Sequence, residues 1–80
     1  MKLKDVRKMI VATKINFIAR IGKELKKDSE YERVELDYLG DKDEALKSFI
    51  KIYKLENKGM IVEMICPENK DEVSIYGYIK

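Results

Sequence analysis

The chain has no histidine, tryptophan or glutamine, and it has only one cysteine and one proline among its 80 residues. Without histidine there is no Ser–His or Cys–His pair for nucleophilic catalysis and no imidazole ligand for a metal ion. The single Cys66 cannot form an intramolecular disulfide or a thiolate zinc site, and it favours a reducing compartment. We therefore expect a protein that is not an enzyme, uses no metal or cofactor and has no small-molecule substrate.

Long apolar runs are also missing. Met9–Ala12 is too short for the core of a signal peptide, and no segment approaches the roughly 20 apolar residues of a membrane span. We therefore expect a cytoplasmic protein with no membrane partner. The chain is short enough to form a single domain, residues 1–80, and a core of this size gains stability from oligomerisation. The many Lys and Glu residues are typical of a thermophilic source.

Charge is unevenly distributed along the chain. Residues 1–27 hold nine basic and two acidic side chains, whereas residues 28–80 hold eight basic and thirteen acidic ones. The net charge of +2 therefore combines a first segment of +7 with a second segment of −5. Such an asymmetry indicates a polyanionic or acidic partner for the basic segment.

The spacing of apolar residues predicts the element order β-α-β-α-β-β. The run Met9–Ala12 predicts a first strand from about Val6 to Thr13, because its centre is β-branched. From Lys14 the spacing changes to that of a helix that continues to Lys27. The apolar face of this predicted helix comprises Phe17, Ile18, Ile21 and Leu25.

The rest of the chain predicts a strand, a helix and a hairpin. Residues 32–39 alternate apolar and polar side chains, as in a strand with one solvated face. Asp41 begins the second helix as a capping residue, and Gly59 ends it. Residues 60–66 and 72–79 predict antiparallel strands joined by a turn. We expect an α/β two-layer (α+β) fold with both helices on one face of a four-stranded mixed sheet, whose other face is open or covered by a partner.

Two groups of side chains have both a structural and a functional interpretation. Asp41, Asp43 and Glu44 fit the cap of a helix better than a Mg²⁺ site, which would also use substrate phosphates. The five tyrosines have faces on which bases can stack, although tyrosines in a small sheet more often serve as half-buried packing.

Two stretches of the chain resemble the Alba family of archaeal chromatin and RNA-binding proteins. Ile15–Ile18 (Ile-Asn-Phe-Ile) resembles the start of that family's first helix, and Gly40 followed by Glu44–Leu46 resembles its strand–helix junction. The similarity spans Val6 to Lys80 in length and element order. The C-terminal domain of translation initiation factor three shares this order, so the resemblance implies an Alba-like fold of that general type.

The resemblance further implies a homodimer that binds double-stranded DNA or RNA through two loops and a hairpin arm. The chain departs from the family where Leu39-Gly40-Asp41 replaces an Arg-Gly-Arg loop and where a short acidic turn replaces the arm. Acidic residues beside a phosphate repel it. The nucleic-acid-binding residues implied at or near the family's positions are Lys14, Arg20, Lys23, Lys42 and Lys70.

Three hypotheses follow from these observations. In the first, the chain is a small Alba-like nucleic-acid-binding protein that contacts the phosphate backbone without sequence preference. In the second, it is a protein-interaction or self-assembly module that keeps the fold but has lost nucleic-acid binding. Its basic segment would then meet the acidic segment of another protomer. In the third, the lysines only solvate a helix face.

Overall fold

The chain forms two helices and four strands, and the computed structural model describes all 80 residues. In chain order the elements are α1 (Leu3–Arg7), β1 (Lys14–Ile21), β2 (Tyr31–Asp37), α2 (Lys42–Asn57), β3 (Ile61–Asn69) and β4 (Glu72–Ile79). The strands make one mixed sheet in the order β2-β1-β4-β3. The central strands β1 and β4 are parallel, and each pairs antiparallel with its outer neighbour.

Both helices cover the same face of this sheet, as the sequence predicts. Leu3 of α1 and Ile52 of α2 belong to one buried cluster with the inward side chains of the strands. Phe17 of β1 and Ile75 of β4 lie at its centre and are completely buried. The α+β class, the four-stranded mixed sheet and the two helices on one face are therefore confirmed.

The predicted element order is wrong in the first third of the chain, because the observed order is α-β-β-α-β-β. The helix predicted from Lys14 to Lys27 is strand β1 followed by a loop. Ile15, Phe17 and Ala19 alternate with outward side chains and are buried beneath the helices, which is the period of a strand. Ile18 and Leu25 suggested a helical stripe, but Ile18 lies on the other sheet face and Leu25 is exposed in the loop. Gly22 ends the strand in a left-handed conformation (φ 95°).

The strand predicted from Val6 to Thr13 is also wrong. Val6 is buried in α1, and the chain then runs as a linker in which Ile10 and Ala12 pack against the core. A short apolar run therefore contributes to the core without pairing in the sheet. Periodicity alone does not separate these outcomes for a run of this length.

An ion pair joins α1 to α2. The Nε of Arg7 donates a hydrogen bond of 2.5 Å to Oε1 of Glu56, and the guanidinium lies 5.3 Å from the ring centroid of Tyr53. This hydrogen bond raises the pKa of Arg7, outweighing the opposite effect of burial. A five-residue helix is too short to be stable alone, so this contact and the buried Leu3 hold it in place.

The N-terminal residues and the irregular shape of β3 protect the β3 edge of the sheet. The backbone N–H of Leu3 donates to Met60 O (3.0 Å), and that of Val62 donates to Met1 O (2.6 Å), so the first residues pair with the start of β3. Further along, β3 has two irregularities in its register and contains Pro67. Bulges and proline both discourage pairing with a second sheet.

Gly77 of β4 has no room for a side chain, and this generates a first prediction. A Cβ at this position would overlap the backbone carbonyl group of Ile61 on the neighbouring strand. We expect Gly77→Ala to lower the free energy of unfolding by about 3 kcal/mol or more, the upper range for overpacking. Chemical denaturation measures the change.

Gly40→Ala is the matched control, because its Cβ would meet only the flexible side chain of Asp37, at 3.2 Å. We expect this variant to change stability by about 1 kcal/mol or less. A Gly77→Ala variant as stable as Gly40→Ala would contradict the close pairing of β3 with β4.

Candidate nucleic-acid interface

The sheet face opposite the helices is uncovered, and its side chains form three rows across the strands. One row carries a polar group, with Asn16 beside Ser74 and Glu35, and the next carries Ile18 between Tyr76 and Arg33. The third row is Tyr78, Arg20 and Tyr31. We call this surface the open face. It combines aromatic rings, two arginines and a central apolar side chain.

Lys14 lies on the same side of the sheet, next to the first of these rows, and is paired with a carboxylate. The Nζ of Lys14 lies 3.0 Å from Oε1 of Glu35, and this hydrogen bond is the main reason why the pKa of Lys14 is raised. The carboxylates of Glu72 and Asp37, one on each neighbouring strand, raise this pKa further. Lys14 therefore lies among acidic side chains rather than in a positive patch.

Arg20 is held by four groups. Its guanidinium lies 3.2 Å from Oε1 of Glu63, donates to the backbone oxygens of Gly22 and Lys23, and lies 5.7 Å from the ring centroid of Tyr78. Its side chain is only 11% exposed. Arg20 thus fastens the loop after β1 to the sheet, and few of its donors remain for a phosphate.

The five residues implied by the Alba resemblance do not form one patch. Lys14 begins β1, Lys42 begins α2 and Lys70 lies in the β3–β4 turn, so these three lie at one end of the sheet. Arg20 and Lys23 lie at the other end, since Arg20 is the second-last residue of β1 and Lys23 follows the strand. The residues on which the resemblance rests, Ile15–Ile18, lie inside a strand and not at the start of a helix.

Carboxylates outnumber lysines at the end of the sheet that holds Lys14, Lys42 and Lys70. The ladder pairs Lys14 with Asp37 on one side and Glu72 on the other. The remaining carboxylates of this end come from the start of α2 and the β3–β4 turn, namely Asp41, Asp43, Glu44, Glu68 and Asp71. Such an end repels phosphates.

A different cluster of cations lies between β2 and α2. A groove there is lined by Glu32, Arg33, Val34, Lys51, Lys54 and Lys58. We call it the basic groove. Arg33, Lys51 and Lys54 form no ion pair, whereas Lys58 contacts Glu32 at 2.9 Å. Three lysines of α2 thus face one carboxylate in the groove, while the guanidinium of Arg33 lies over Tyr31 on the open face.

The helix itself aligns these lysines. Lys47, Lys51, Lys54 and Lys58 follow one another at steps of three or four residues, which places them on one side of α2. Lys47 lies outside the groove and is paired with Glu44 at 3.4 Å. At 1.5 Å per residue the four lysines span roughly 16 Å. Asp41 fixes the start of the helix, since its Oδ1 accepts hydrogen bonds from the backbone N–H groups of Asp43 (2.7 Å) and Glu44 (3.2 Å).

The sequence analysis does not predict the basic groove, because it considers the net charge of two long segments and not the spacing of single lysines. The groove lysines lie in the acidic half of the chain, and only their helical spacing sets them apart. That spacing is visible without a structure. The position of Arg33 next to these lysines cannot be read from the sequence, since it depends on how β2 packs beside α2.

Arg33 links the basic groove to the open face. It lines the groove with the α2 lysines, and it also lines a shallow hollow on the open face together with Asn16, Ile18, Ser74 and Tyr76. Because β2 is the edge strand, the two surfaces meet around that edge. They therefore form one continuous surface.

No protein-family model, curated protein or solved structure matches the chain. Neither helix is long and apolar enough to cross a membrane.

Proposed function

We propose that the protein binds nucleic acid through phosphate contacts, without sequence preference, and that the basic groove is the binding surface. The observation that supports this most directly is the row of α2 lysines in the groove, in which Lys51 and Lys54 form no ion pair and only Lys58 is paired with a carboxylate. Lysines act on phosphates as point charges and carry no base-specific geometry. The absence of sequence preference follows from that chemistry.

Electrostatic competition favours the groove over the loops. In the groove each cation other than Lys58 is free of a carboxylate, so a phosphate meets a net positive charge. Near Lys14 a phosphate would meet Glu35 and Glu72 as well. Contacts at Lys23, Lys42 and Lys70 remain a prediction of the resemblance, and variants at these positions serve as controls for the groove.

A salt titration with charge-reversal variants tests the proposal. If four phosphates are neutralised, affinity falls about 50-fold for a single strand and about 150-fold for a duplex between 50 and 200 mM salt. We expect the double variant Lys51→Glu/Lys54→Glu to weaken binding at low salt. It should also reduce the slope of log affinity against log salt by about 2, one for each lost contact. Fluorescence anisotropy of a labelled oligonucleotide measures both quantities.

The matched control is Lys42→Glu/Lys70→Glu, which changes the net charge by the same amount at two exposed positions outside both the groove and the three rows of the open face. We expect it to keep most of the salt slope. If instead the groove variant binds normally and the loop variant does not bind, the binding site lies in the loops, where the Alba resemblance implies it. No binding of any oligonucleotide at low salt would contradict the function itself.

A second candidate function is a self-assembly module, which the outer side of α2 favours. Leu46, Ile50 and Tyr53 form an apolar stripe there and are 60%, 50% and 51% exposed. In this second proposal the homodimer expected from the sequence forms through this stripe. However, two antiparallel copies of α2 would bring their lysine sides together, because a twofold axis places the same flank of each helix side by side.

The effect of added salt on affinity distinguishes the two candidate functions. Added salt screens repulsion between lysines, so a dimer formed through this stripe becomes tighter as salt rises, whereas nucleic-acid binding becomes weaker. We expect sedimentation at high salt to show dimers that Ile50→Glu converts to monomers, if the stripe is an interface. A monomer at millimolar concentration and high salt would exclude this candidate.

A further inference from the structure

We propose that the nucleic acid is single-stranded, with its backbone in the basic groove and a base stacked on Tyr76 of the open face. This inference rests on the proposed function, since it names the class of nucleic acid bound at that surface. It extends the site from the charged groove across the β2 edge, and it assigns a role to the uncovered side of the sheet.

The open face offers three tyrosine rings, and one of them is free. Arg20 lies 5.7 Å from the ring centroid of Tyr78, and Arg33 lies 5.6 Å from that of Tyr31. No guanidinium lies over Tyr76, which is half-buried between Met64 and Ile18 on the neighbouring strands. A half-buried ring that no guanidinium covers can act as a platform on which a base of any sequence stacks.

The sheet register puts this ring within reach of the groove. Tyr76 of β4 is paired with Ile18 of β1, which is paired in turn with Arg33 of β2. Two strand spacings, or roughly 10 Å, therefore separate the Tyr76 backbone from the edge strand. The hollow that Tyr76 and Arg33 line together connects them along the surface.

The division of charge fits the two parts of a nucleotide. Lys14 and Arg20 on this side of the sheet are each paired with a glutamate, so Arg33 at the β2 edge is the one cation of the three rows without a carboxylate partner. Bases are uncharged and suit such a surface, whereas the backbone suits the groove. In a duplex the base faces are covered by their neighbours, so only an unpaired strand can use Tyr76.

Three oligonucleotides of equal length and equal labelling test this inference: a single strand, an abasic single strand and a duplex. The abasic strand keeps the phosphates and removes the stacking. We expect the ordinary single strand to bind the protein about 5- to 150-fold more tightly than the abasic one, the range for one stacked base. Tyr76→Leu should remove this difference and leave abasic binding unchanged, whereas Tyr76→Phe should preserve it.

Tyr53→Leu is the matched control, because Tyr53 is an exposed tyrosine on the helical side of the molecule. We expect it to leave the affinity for the single strand unchanged. The comparison of ordinary and abasic strands uses the unaltered protein, so it gives a result even if Tyr76→Leu does not fold.

The possible failures are distinguishable. Equal affinities for the ordinary and abasic strands would overturn the stacking inference while leaving phosphate binding in the groove intact. A change in sedimentation of Tyr76→Leu, with no change in oligonucleotide affinity, would overturn it in favour of a second copy on the open face. Absence of binding to all three oligonucleotides would overturn both proposals.

Discussion

The parallel pairing of β1 with β4 is the constraint on which the rest of the structure depends. The two strands align residue for residue, from Lys14 opposite Glu72 to Ile21 opposite Ile79. With them at the centre, β2 and β3 become the edges, and the chain between those edges has to cross the sheet. α2 makes that crossing on one face, and the short α1 packs beside it. The other face carries no helix.

This arrangement also produces the proposed binding surface. α2 starts beside the end of β2 and runs back along it. One side of the helix therefore faces the β2 edge, and its lysines line a groove there together with residues of β2 that include Arg33. The inward side of the same helix carries Ile52 and Leu55 and is fully buried. One helix therefore stabilises the core and carries the charge, so groove lysines can be replaced without disturbing the packing.

The sequence correctly predicts the elements in which the spacing of apolar residues agrees with the capping and helix-breaking residues at their ends. Residues 32–39 alternate cleanly, and Asp41 and Gly59 mark the ends of the second helix, so β2 and α2 are found close to their observed bounds. β1 is missed because Ile18 packs on the open face and interrupts the apparent alternation. Neither element order nor strand pairing can be recovered once that strand is taken for a helix.

The candidate site shows a similar division. The spacing of the α2 lysines and the alternation of Tyr76 and Tyr78 are present in the sequence, and each indicates which side chains share a face. The sequence does not show that these lysines and tyrosines lie close together, because this depends on β4 pairing with β1, a strand more than fifty residues earlier. The Alba resemblance implies Lys14 and Arg20 as binding residues, yet Glu35 and Glu63, both distant in sequence, pair with them. Local patterns are thus predictable, and long-range neutralisation is not.

The most direct test of a surface that joins the basic groove to the open face is a map of backbone amide shifts by NMR during titration with a single-stranded oligonucleotide. We expect the largest changes at Arg33, Lys51, Lys54 and Tyr76, on three elements brought together only by the fold. Changes confined to the loop after β1 and the β3–β4 turn, or no changes at low salt, would contradict it.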